Sequence, residues 1–116
     1  MNEKILVLGD IFLDVFNETK AFKISPERPV PVLKPKGTEF FLGGAANVAN
    51  NLKSIGGEPF LISKLSKDIN SKKIIFLLKK NKISHKIIFS KKYSTSVKKR
   101  IVENNHQFLR LDDESL

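Results

Sequence analysis

The sequence predicts an α/β fold built on a parallel sheet. Three observations support this prediction. Apolar runs with strand character alternate with segments of helical periodicity. The first run is continuous and ends at a Gly-Asp pair, which is typical of strands buried on both faces. The length of 116 residues and the hydrophobic fraction of 41% suit one small globular domain.

Five segments are predicted to form the alternating part of the fold. In chain order they are a strand at 5–8, a helix at about 45–55, a strand at 59–63, a helix at about 70–80 and a strand at 87–89. Gly43 and Gly44 precede the first helix, and Gly56 and Gly57 end it at its C-terminal cap. Connections between parallel strands are almost always right-handed, so we expect the same here.

The segment 11–41 interrupts this alternation and is too long for an ordinary connection. Short strands are predicted within it, at 15–16, 30–33 and 40–41. Pro29, Pro31 and Pro35 lack the N–H that a central strand needs. The insert should therefore form a small sheet of edge-like strands outside the main one. Near the C-terminus, 96–102 and 107–112 alternate in polarity around a turn candidate, which predicts a hairpin.

Positive charge is concentrated in one block of the sequence. Residues 64–100 hold thirteen basic side chains and one acidic, whereas residues 1–63 hold seven of each. A basic block can mark an anionic or nucleic-acid partner. The chain is also rich in Lys, Asn and Ile together, as AT-rich coding sequences produce, and no nucleic-acid-binding motif accompanies the block. We therefore predict no nucleic-acid partner.

Composition also bears on location and on metals. The chain has no cysteine, which excludes disulfides and thiolate metal sites and fits a reducing cytoplasm. It shows no signal-peptide pattern and no apolar stretch long enough to span a membrane, so we expect a cytoplasmic protein without a membrane partner. His85 and His106 have no acidic partners at ligand spacing, and no metal site is predicted.

The most informative stretch is Gly43, Gly44, Ala45, Ala46 and Asn47. Two glycines let a ligand approach the backbone, and the helix that follows points its free N–H groups to the same place. Asn47 lies on the predicted first turn, where a carboxamide can both donate to and accept from sugar hydroxyls. The alternative interpretation is a tight loop before a packed helix. The stretch is neither a P-loop nor a dinucleotide fingerprint.

Asp10 and Asp14 follow the first predicted strand, at the sheet edge where open α/β proteins bind ligands. The Asp14 carboxylate suits a polyol, because its oxygens can accept two hydroxyl protons at once. A structural turn aspartate is the alternative, and Asp10 fits that role better.

Lys98 and Arg100 are two residues apart on a predicted strand and so share one face. With Arg110 on the neighbouring strand they could bind a substrate phosphate. The alternative is a solvated basic face, which we favour for Lys98.

Four stretches together resemble the ribokinase-like (PfkB-type) carbohydrate kinases over nearly all of the chain. They are residues 5–14, 24–32, 42–49 and 107–112. The Ile-Ser-Pro-Glu sequence and the Leu-Arg-Leu-Asp ending resemble most the kinase domain of bacterial heptose-7-phosphate kinases. That domain is often fused to an adenylyltransferase in ADP-heptose synthesis for lipopolysaccharide.

The resemblance implies a fold and a site. The chain would be the first, substrate-binding part of a ribokinase-like doubly wound sheet, with segment 11–41 as a small β-sheet lid that covers the sugar and often forms a dimer contact. The implied substrate-binding residues are Asp14, Gly43, Gly44, Asn47 and Arg100. Lys23 stands where an arginine is expected, and this departure leaves the exact sugar open.

The resemblance also implies a reaction, in which ATP and Mg²⁺ supply a γ-phosphoryl group to a phosphosugar. The family's catalytic aspartate belongs to a Gly-x-Gly-Asp motif that these 116 residues lack, as they lack the strands that hold adenine. We therefore expect no catalytic residue here, little ATP binding and no activity from the chain alone. The alternatives are a kinase of the same fold for fructose, ribose or a nucleoside, and a non-catalytic fragment that binds sugar or serves as a dimerising lid.

Overall fold

The computed structural model describes residues 3–114, which form two sheets and two helices. The elements in chain order are β1 (Lys4–Leu8), β2 (Ile11–Ile24), β3 (Pro31–Gly44), α1 (Ala45–Ser54), β4 (Glu58–Leu65), α2 (Ile69–Lys80), β5 (Ser84–Phe89), β6 (Ser96–Glu103) and β7 (His106–Asp113). The predicted strand–helix–strand–helix–strand alternation is confirmed, with each element within a few residues of its expected place.

The body sheet consists of β1, β4 and β5, which are parallel and lie in the order β1-β4-β5. Both helices pack on the same face of it. Val7 and Leu61 from the sheet share one buried core with Ala49 of α1 and Leu78 of α2. This is the layered arrangement that the alternating apolar pattern predicts.

The prediction that the first strand is buried on both faces is wrong. Val7 points into the core, but Leu6 and Leu8 on the opposite face are 59% and 68% exposed. A continuous apolar run needs cover on both sides of the sheet. Within residues 3–114, the helices supply that cover on one side.

The second sheet has the order β3-β2-β6-β7. β2 pairs with β3 antiparallel and with β6 parallel, and β7 returns antiparallel to β6. The short strands predicted within 11–41 are therefore corrected to two strands of 14 residues each. Pro31 and Pro35 lie in β3, at the edge of the sheet, as the missing N–H groups require.

One buried core joins the two sheets. Leu13, Leu42 and Val97 point from the second sheet into the cluster that also contains Leu61 and Ile74. The second sheet therefore has one face toward the core and the other toward solvent, and polarity alternates along its strands accordingly. Among residues 3–114, no helix is long and apolar enough to cross a lipid bilayer.

Both helices end in the same hydrogen-bonded motif. At the end of α1, Gly56 N–H donates to Lys53 and Gly57 N–H to Leu52, and Gly56 has a φ of 98°. At the end of α2, Lys82 N–H donates to Lys79 and Ile83 N–H to Leu78, and Lys82 has a φ of 56°. These are Schellman motifs, in which the residue with positive φ is usually glycine.

Candidate functional site

The solvent-directed face of the second sheet carries a cluster that we call the basic face. It consists of Phe12, Asp14 and Phe16 of β2, Lys98 and Arg100 of β6, and Arg110 and Asp112 of β7. Residues two apart on a strand share a face, so the buried Leu13 and Val97 place these seven side chains on the other side. Three of the seven are cationic, two are acidic and two are aromatic.

Asp14 and Arg100 form an ion pair at the centre of this face. The Arg100 guanidinium donates to Asp14 Oδ1 over 2.7 Å, and the two side chains are 20% and 19% exposed. The parallel register of β2 and β6 makes them diagonal neighbours, although 86 residues separate them in the chain. The bond uses one of the five guanidinium N–H groups, and a carboxylate can accept more than one donor.

Aromatic rings support the two β6 cations of this face. The Arg100 guanidinium carbon lies 5.1 Å from the Phe16 ring centre, and the Phe16 ring meets Phe41 edge-on at 5.5 Å. Lys98 Nζ lies 4.4 Å from the Phe12 ring centre. Such contacts limit the orientations of the cations and concentrate positive charge on one patch. Lys98 is half-buried, and its Nζ also lies 3.6 Å from Glu114 Oε1, so the choice between a solvated basic face and a binding role for Lys98 stays open.

Gly43 and Gly44 are required by close packing within the chain. A Cβ on Gly43 would overlap the ring of Phe12, its partner across β2 and β3. Gly44 has a φ of 65°, and a Cβ there would overlap the Asp10 carbonyl oxygen. That oxygen accepts the first helical N–H, from Ala45, at 2.9 Å. The tight-loop interpretation is thus sufficient for the two glycines, and their contact with a ligand stays a prediction.

Asn47 lies on the first turn of α1, as predicted, and its side chain is exposed. Gly44 is the N-cap residue of this helix, and no side chain among residues 3–114 makes a capping hydrogen bond there. Within residues 3–114, no side-chain hydrogen bond or ion pair connects Asn47 to the Asp14–Arg100 pair. The structure therefore brings Asp14 and Arg100 into direct contact, and a role for Asn47 beside them stays a prediction.

Arg110 is engaged by a neighbour on its own strand. It donates two hydrogen bonds to the Asp112 carboxylate, over 2.9 and 2.7 Å. The hydrogen bond from Arg110 holds the pKa of Asp112 below its usual value, and the same bond raises the pKa of Arg110. Arg110 uses two of its N–H groups in this pair, whereas Arg100 uses one in its pair with Asp14, so Arg110 is a weaker candidate than Arg100 for binding an anion.

A polar cleft of about 370 Å³ adjoins the basic face at the carboxyl ends of β1 and β4. Its lining includes Asp10, Lys64, Tyr93, Thr95 and Ser96. Ser96 is the β6 partner of Phe12, so the cleft and the basic face meet there. In open α/β sheets this is the end at which ligands bind. Within residues 3–114, no group of three His, Cys, Asp or Glu side chains could hold a metal ion.

Sequence reasoning missed the aromatic part of the site. Phe12, Phe16 and Phe41 carry the cations or pack beside them, yet none was singled out. The signal was the alternation Phe-x-Asp-x-Phe, which places both rings and the carboxylate on one face of a strand.

The fold places the chain among α/β proteins that carry a second sheet beside the carboxyl ends of a parallel one. The profile of the pfkB family of carbohydrate kinases matches residues 2–114. The chain belongs to this family, which confirms the resemblance seen in its motifs.

The relatives are much longer than this chain. A protein of Helicobacter acinonychis named Bifunctional protein HldE is 41% identical over 112 residues, which make up 96% of this chain and 24% of that protein. The chain thus spans about a quarter of the length of the curated relatives it matches.

Solved structures confirm the ribokinase-like fold. A nucleoside kinase of Methanocaldococcus jannaschii, described as an archaeal member of the ribokinase family, superposes with a TM-score of 0.69 at 23% identity, over 97% of this chain and 37% of its own. A fructokinase of Halothermothrix orenii gives 0.65 at 23% identity, over 97% of this chain and 38% of its own. At such identities the likeness concerns the fold alone.

Proposed function

We propose that the chain is the sugar-phosphate-binding part of an ATP-dependent carbohydrate kinase. Asp14 and Arg100 contact the substrate directly, and Gly43, Gly44 and Asn47 line the helix start beside it. The observation that carries this proposal is the Asp14–Arg100 pair, which places a hydroxyl acceptor and an anion-binding cation 2.7 Å apart on one face.

The chemistry of the basic face favours a phosphorylated sugar over a neutral one. A carboxylate binds hydroxyls, and an arginine fork binds phosphate oxygens through two N–H groups at once. Lys98 adds a second cation on the same face, two residues from Arg100. In the free chain these two cations are paired with the carboxylates of Asp14 and Glu114. A sugar phosphate presents hydroxyls and an anion together, so it could bind both the carboxylate and the cations of this face.

Heptose 7-phosphate is the substrate we favour, in the synthesis of ADP-heptose for lipopolysaccharide. The motifs at 24–27 and 109–112 support it, since they resemble heptose-7-phosphate kinases. The Helicobacter relative, named as a bifunctional protein, is in keeping with a kinase fused to a second activity. Lys23, where an arginine is expected, is the position at which a different sugar would be accommodated.

The residues of this chain would bind and orient the substrate. They would not accept the proton of the sugar hydroxyl that becomes phosphorylated. Mg²⁺-ATP supplies the phosphoryl group in the complete enzyme, and the family's aspartate base lies outside these residues. Asp14 and Arg100 would fix the sugar so that one hydroxyl faces the nucleotide, and positioning of this kind accounts for much of phosphoryl-transfer catalysis. On this proposal the chain alone binds ATP poorly and is inactive, and the complete enzyme works in the cytoplasm, where ATP is available.

The second sheet would act as the lid and as a dimer contact. At its far end Phe22, Ile24 and Val30 are exposed together, beyond the part of the sheet that reaches the core. Exposed apolar side chains concentrated at one place favour a protein–protein contact. We therefore propose a homodimer formed through this end of the sheet.

A chimeric enzyme tests the kinase proposal. The chain would replace the matching quarter of the Helicobacter acinonychis relative, and ADP release would be followed with heptose 7-phosphate, fructose, ribose and a nucleoside. We expect activity with heptose 7-phosphate. Asp14→Ala should cost on the order of 2–4 kcal/mol in kcat/KM, because a site built for hydroxyls then leaves polar groups unpaired.

The matched pair in the same enzyme is Arg100→Ala and Lys99→Ala, adjacent residues of β6 that point to opposite faces. Arg100→Ala should raise the KM for the phosphosugar, with the KM for ATP unchanged, and Lys99→Ala should leave both near wild type. Equal effects of the two substitutions, or preference for an unphosphorylated substrate, would contradict the proposal.

A further inference from the structure

The side of the second sheet that carries the basic face continues onto β3. Leu42 is buried in the core, so Phe41, one residue earlier, lies on the opposite side of the sheet. Phe41 is the direct ladder partner of Asp14, and Asp14 is in turn the partner of Lys98. One row across three strands therefore presents an aromatic ring, a carboxylate and a cation, in that order.

Phe41 differs from the two aromatic rings of β2 in what its ring contacts. The Phe12 ring lies under Lys98, and the Phe16 ring lies under Arg100. Phe41 meets Phe16 edge-on at 5.5 Å, and no cation among residues 3–114 lies over its own ring. Its side chain is 47% exposed. Phe41 is therefore the ring on this side of the sheet whose apolar surface is available to a ligand.

The charge on this side of the sheet changes sign from β6 to β3. Glu39 and Phe41 of β3 lie two strands away from Lys98 and Arg100 of β6. Neighbouring strands are about 4.8 Å apart, so roughly 10 Å separates the two pairs of residues. A phosphate is attracted to the cations of β6 and repelled by the Glu39 carboxylate. A phosphosugar is thus oriented with its phosphate on β6 and its carbon skeleton toward β3.

A sugar ring has two kinds of surface. Hydroxyl groups project from its rim, and its faces carry C–H groups. The Asp14 carboxylate can accept protons from rim hydroxyls, whereas the neighbouring Phe41 ring offers an apolar surface to the C–H groups. Ligand sites commonly combine aromatic surface with a few polar groups that fix the orientation of the ligand. Packing of the C–H face on the ring removes apolar surface of both from water, which is favourable.

We propose that Phe41 is a further substrate-binding residue, whose ring packs against the C–H face of the sugar and fixes its orientation relative to the phosphate. Phe41 thereby selects phosphorylated ring sugars over short acyclic phosphates, which are too small to contact both the β6 cations and the ring. The inference rests on the proposed function, because it places the phosphate of that substrate at Arg100 and Lys98.

The place of Phe41 in its strand favours a ligand over a second copy of the chain. The proposed dimer contact lies at the other end of the sheet, where β3 begins at Pro31. Phe41 lies near the end of β3, two residues before Gly43 and close to the start of α1. A sugar that packs on Phe41 is therefore beside the helix start at which ligand binding was predicted.

Calorimetric titration of the chain with heptose 7-phosphate, glycerol 3-phosphate and inorganic phosphate tests the inference. Phe41→Ala removes the ring, and Phe41→Tyr keeps it. Phe76→Ala is the matched control, because Phe76 is also exposed but lies on α2. Arg100→Ala reports on the phosphate end of the site. Thermal melts establish that each variant folds, and Phe41→Thr, which suits a strand, replaces Phe41→Ala if that variant does not.

We expect Phe41→Ala to weaken the binding of heptose 7-phosphate by about three- to tenfold, as the loss of about half of a buried phenylalanine implies. The affinities for glycerol 3-phosphate and inorganic phosphate should stay within about twofold of the wild type, since neither reaches the ring. Phe41→Tyr and Phe76→Ala should bind all three ligands as the wild type does, whereas Arg100→Ala should weaken all three.

The inference is overturned if Phe41→Ala binds heptose 7-phosphate as well as Phe76→Ala does, or if it loses affinity equally for all three ligands. It is also overturned if Phe41→Ala changes self-association in sedimentation velocity while the affinity for the sugar phosphate is unchanged. In each of these cases a loss of binding in Arg100→Ala would leave the proposed function standing. A wild-type chain that binds none of the ligands would contradict both.

Discussion

At the scale of single residues, the fit between Gly43 and Phe12 links the fold to the basic face. The ring that fills the space of the missing Cβ is the same ring that lies under Lys98. A side chain at Gly43 would displace Phe12 and, with it, the cation that Phe12 supports.

We predict that Gly43→Ala lowers the free energy of unfolding by about 1–3 kcal/mol, the usual cost of overpacking. The control is Gly37→Ala in the same strand, where a Cβ meets nothing within 4 Å. That change should be neutral, or stabilising by up to about 1 kcal/mol through the unfolded chain. Urea denaturation of both variants measures the difference, and equal stabilities would show that Phe12 can move aside.

The contacts of Asp68 lead to a second prediction at the scale of single residues. It caps α2 by accepting the Ser71 N–H at 2.8 Å, and it accepts the Thr95 N–H at 3.0 Å, which ties the helix to the start of β6. Burial alone would raise the pKa of Asp68, but the hydrogen bonds from Ser71 and Thr95 outweigh it and hold the pKa below its usual value.

A lowered pKa in the folded state stabilises the protein above the unfolded pKa of about 4, and the contribution is lost as the pH falls through the folded value. We predict that Asp68→Ala costs about 0.5–2 kcal/mol at neutral pH. The difference in free energy of unfolding between the wild type and the variant should become smaller below about pH 4. Urea denaturation at pH 7 and at pH 3 measures this difference. A difference that is the same at both pH values would mean that the charge of Asp68 does not contribute to stability.

At the scale of elements, the ends of the two helices form a natural comparison. Gly56 and Lys82 occupy the same position of the same motif, with φ values of 98° and 56°. Only glycine adopts positive φ without a penalty from its side chain. The lysine therefore stores strain that the glycine does not.

We predict that Lys82→Gly raises the free energy of unfolding by about 0.5–1 kcal/mol, and that Gly56→Ala lowers it by about 1 kcal/mol or more. Thermal melts monitored by circular dichroism would show opposite shifts for the two variants. Shifts of the same sign would mean that backbone conformation at these positions is not what decides stability.

Sequence patterns predicted some of the helices and strands of this fold and missed others. The helices and the strands of the body sheet were predictable, because their apolar periodicity matches the face they bury, as at Ala49, Ile74 and Leu78. β2 and β3 were not predicted at their full length, because polar residues such as Asn17 and Lys20 interrupt the apolar pattern. β2 nevertheless continues through them, since it pairs with β3 on one side and with β6 on the other. Their extended conformation depends on pairing with distant segments, which local composition does not record.

At the scale of the whole molecule, the candidate site also combines residues that the local sequence predicted with a contact that it did not predict. Asp14, Gly43, Gly44 and Asn47 stood out because the types of residue and their place after a strand or before a helix suggest ligand binding. The contact of Asp14 with Arg100 did not, because it depends on the parallel pairing of β2 with β6 across 86 residues.

We propose that the basic face of this chain binds a sugar phosphate through Asp14 and Arg100. The most direct measurement is a ¹H–¹⁵N NMR titration of the chain with heptose 7-phosphate, with the unphosphorylated heptose and inorganic phosphate as separate arms. We predict shift changes at Asp14, Arg100 and residues 43–47, larger for the sugar phosphate than for either component alone. Arg100→Ala should abolish them, and Lys99→Ala should not. Changes confined to the exposed lysines of α2, or changes that survive Arg100→Ala, would contradict the claim.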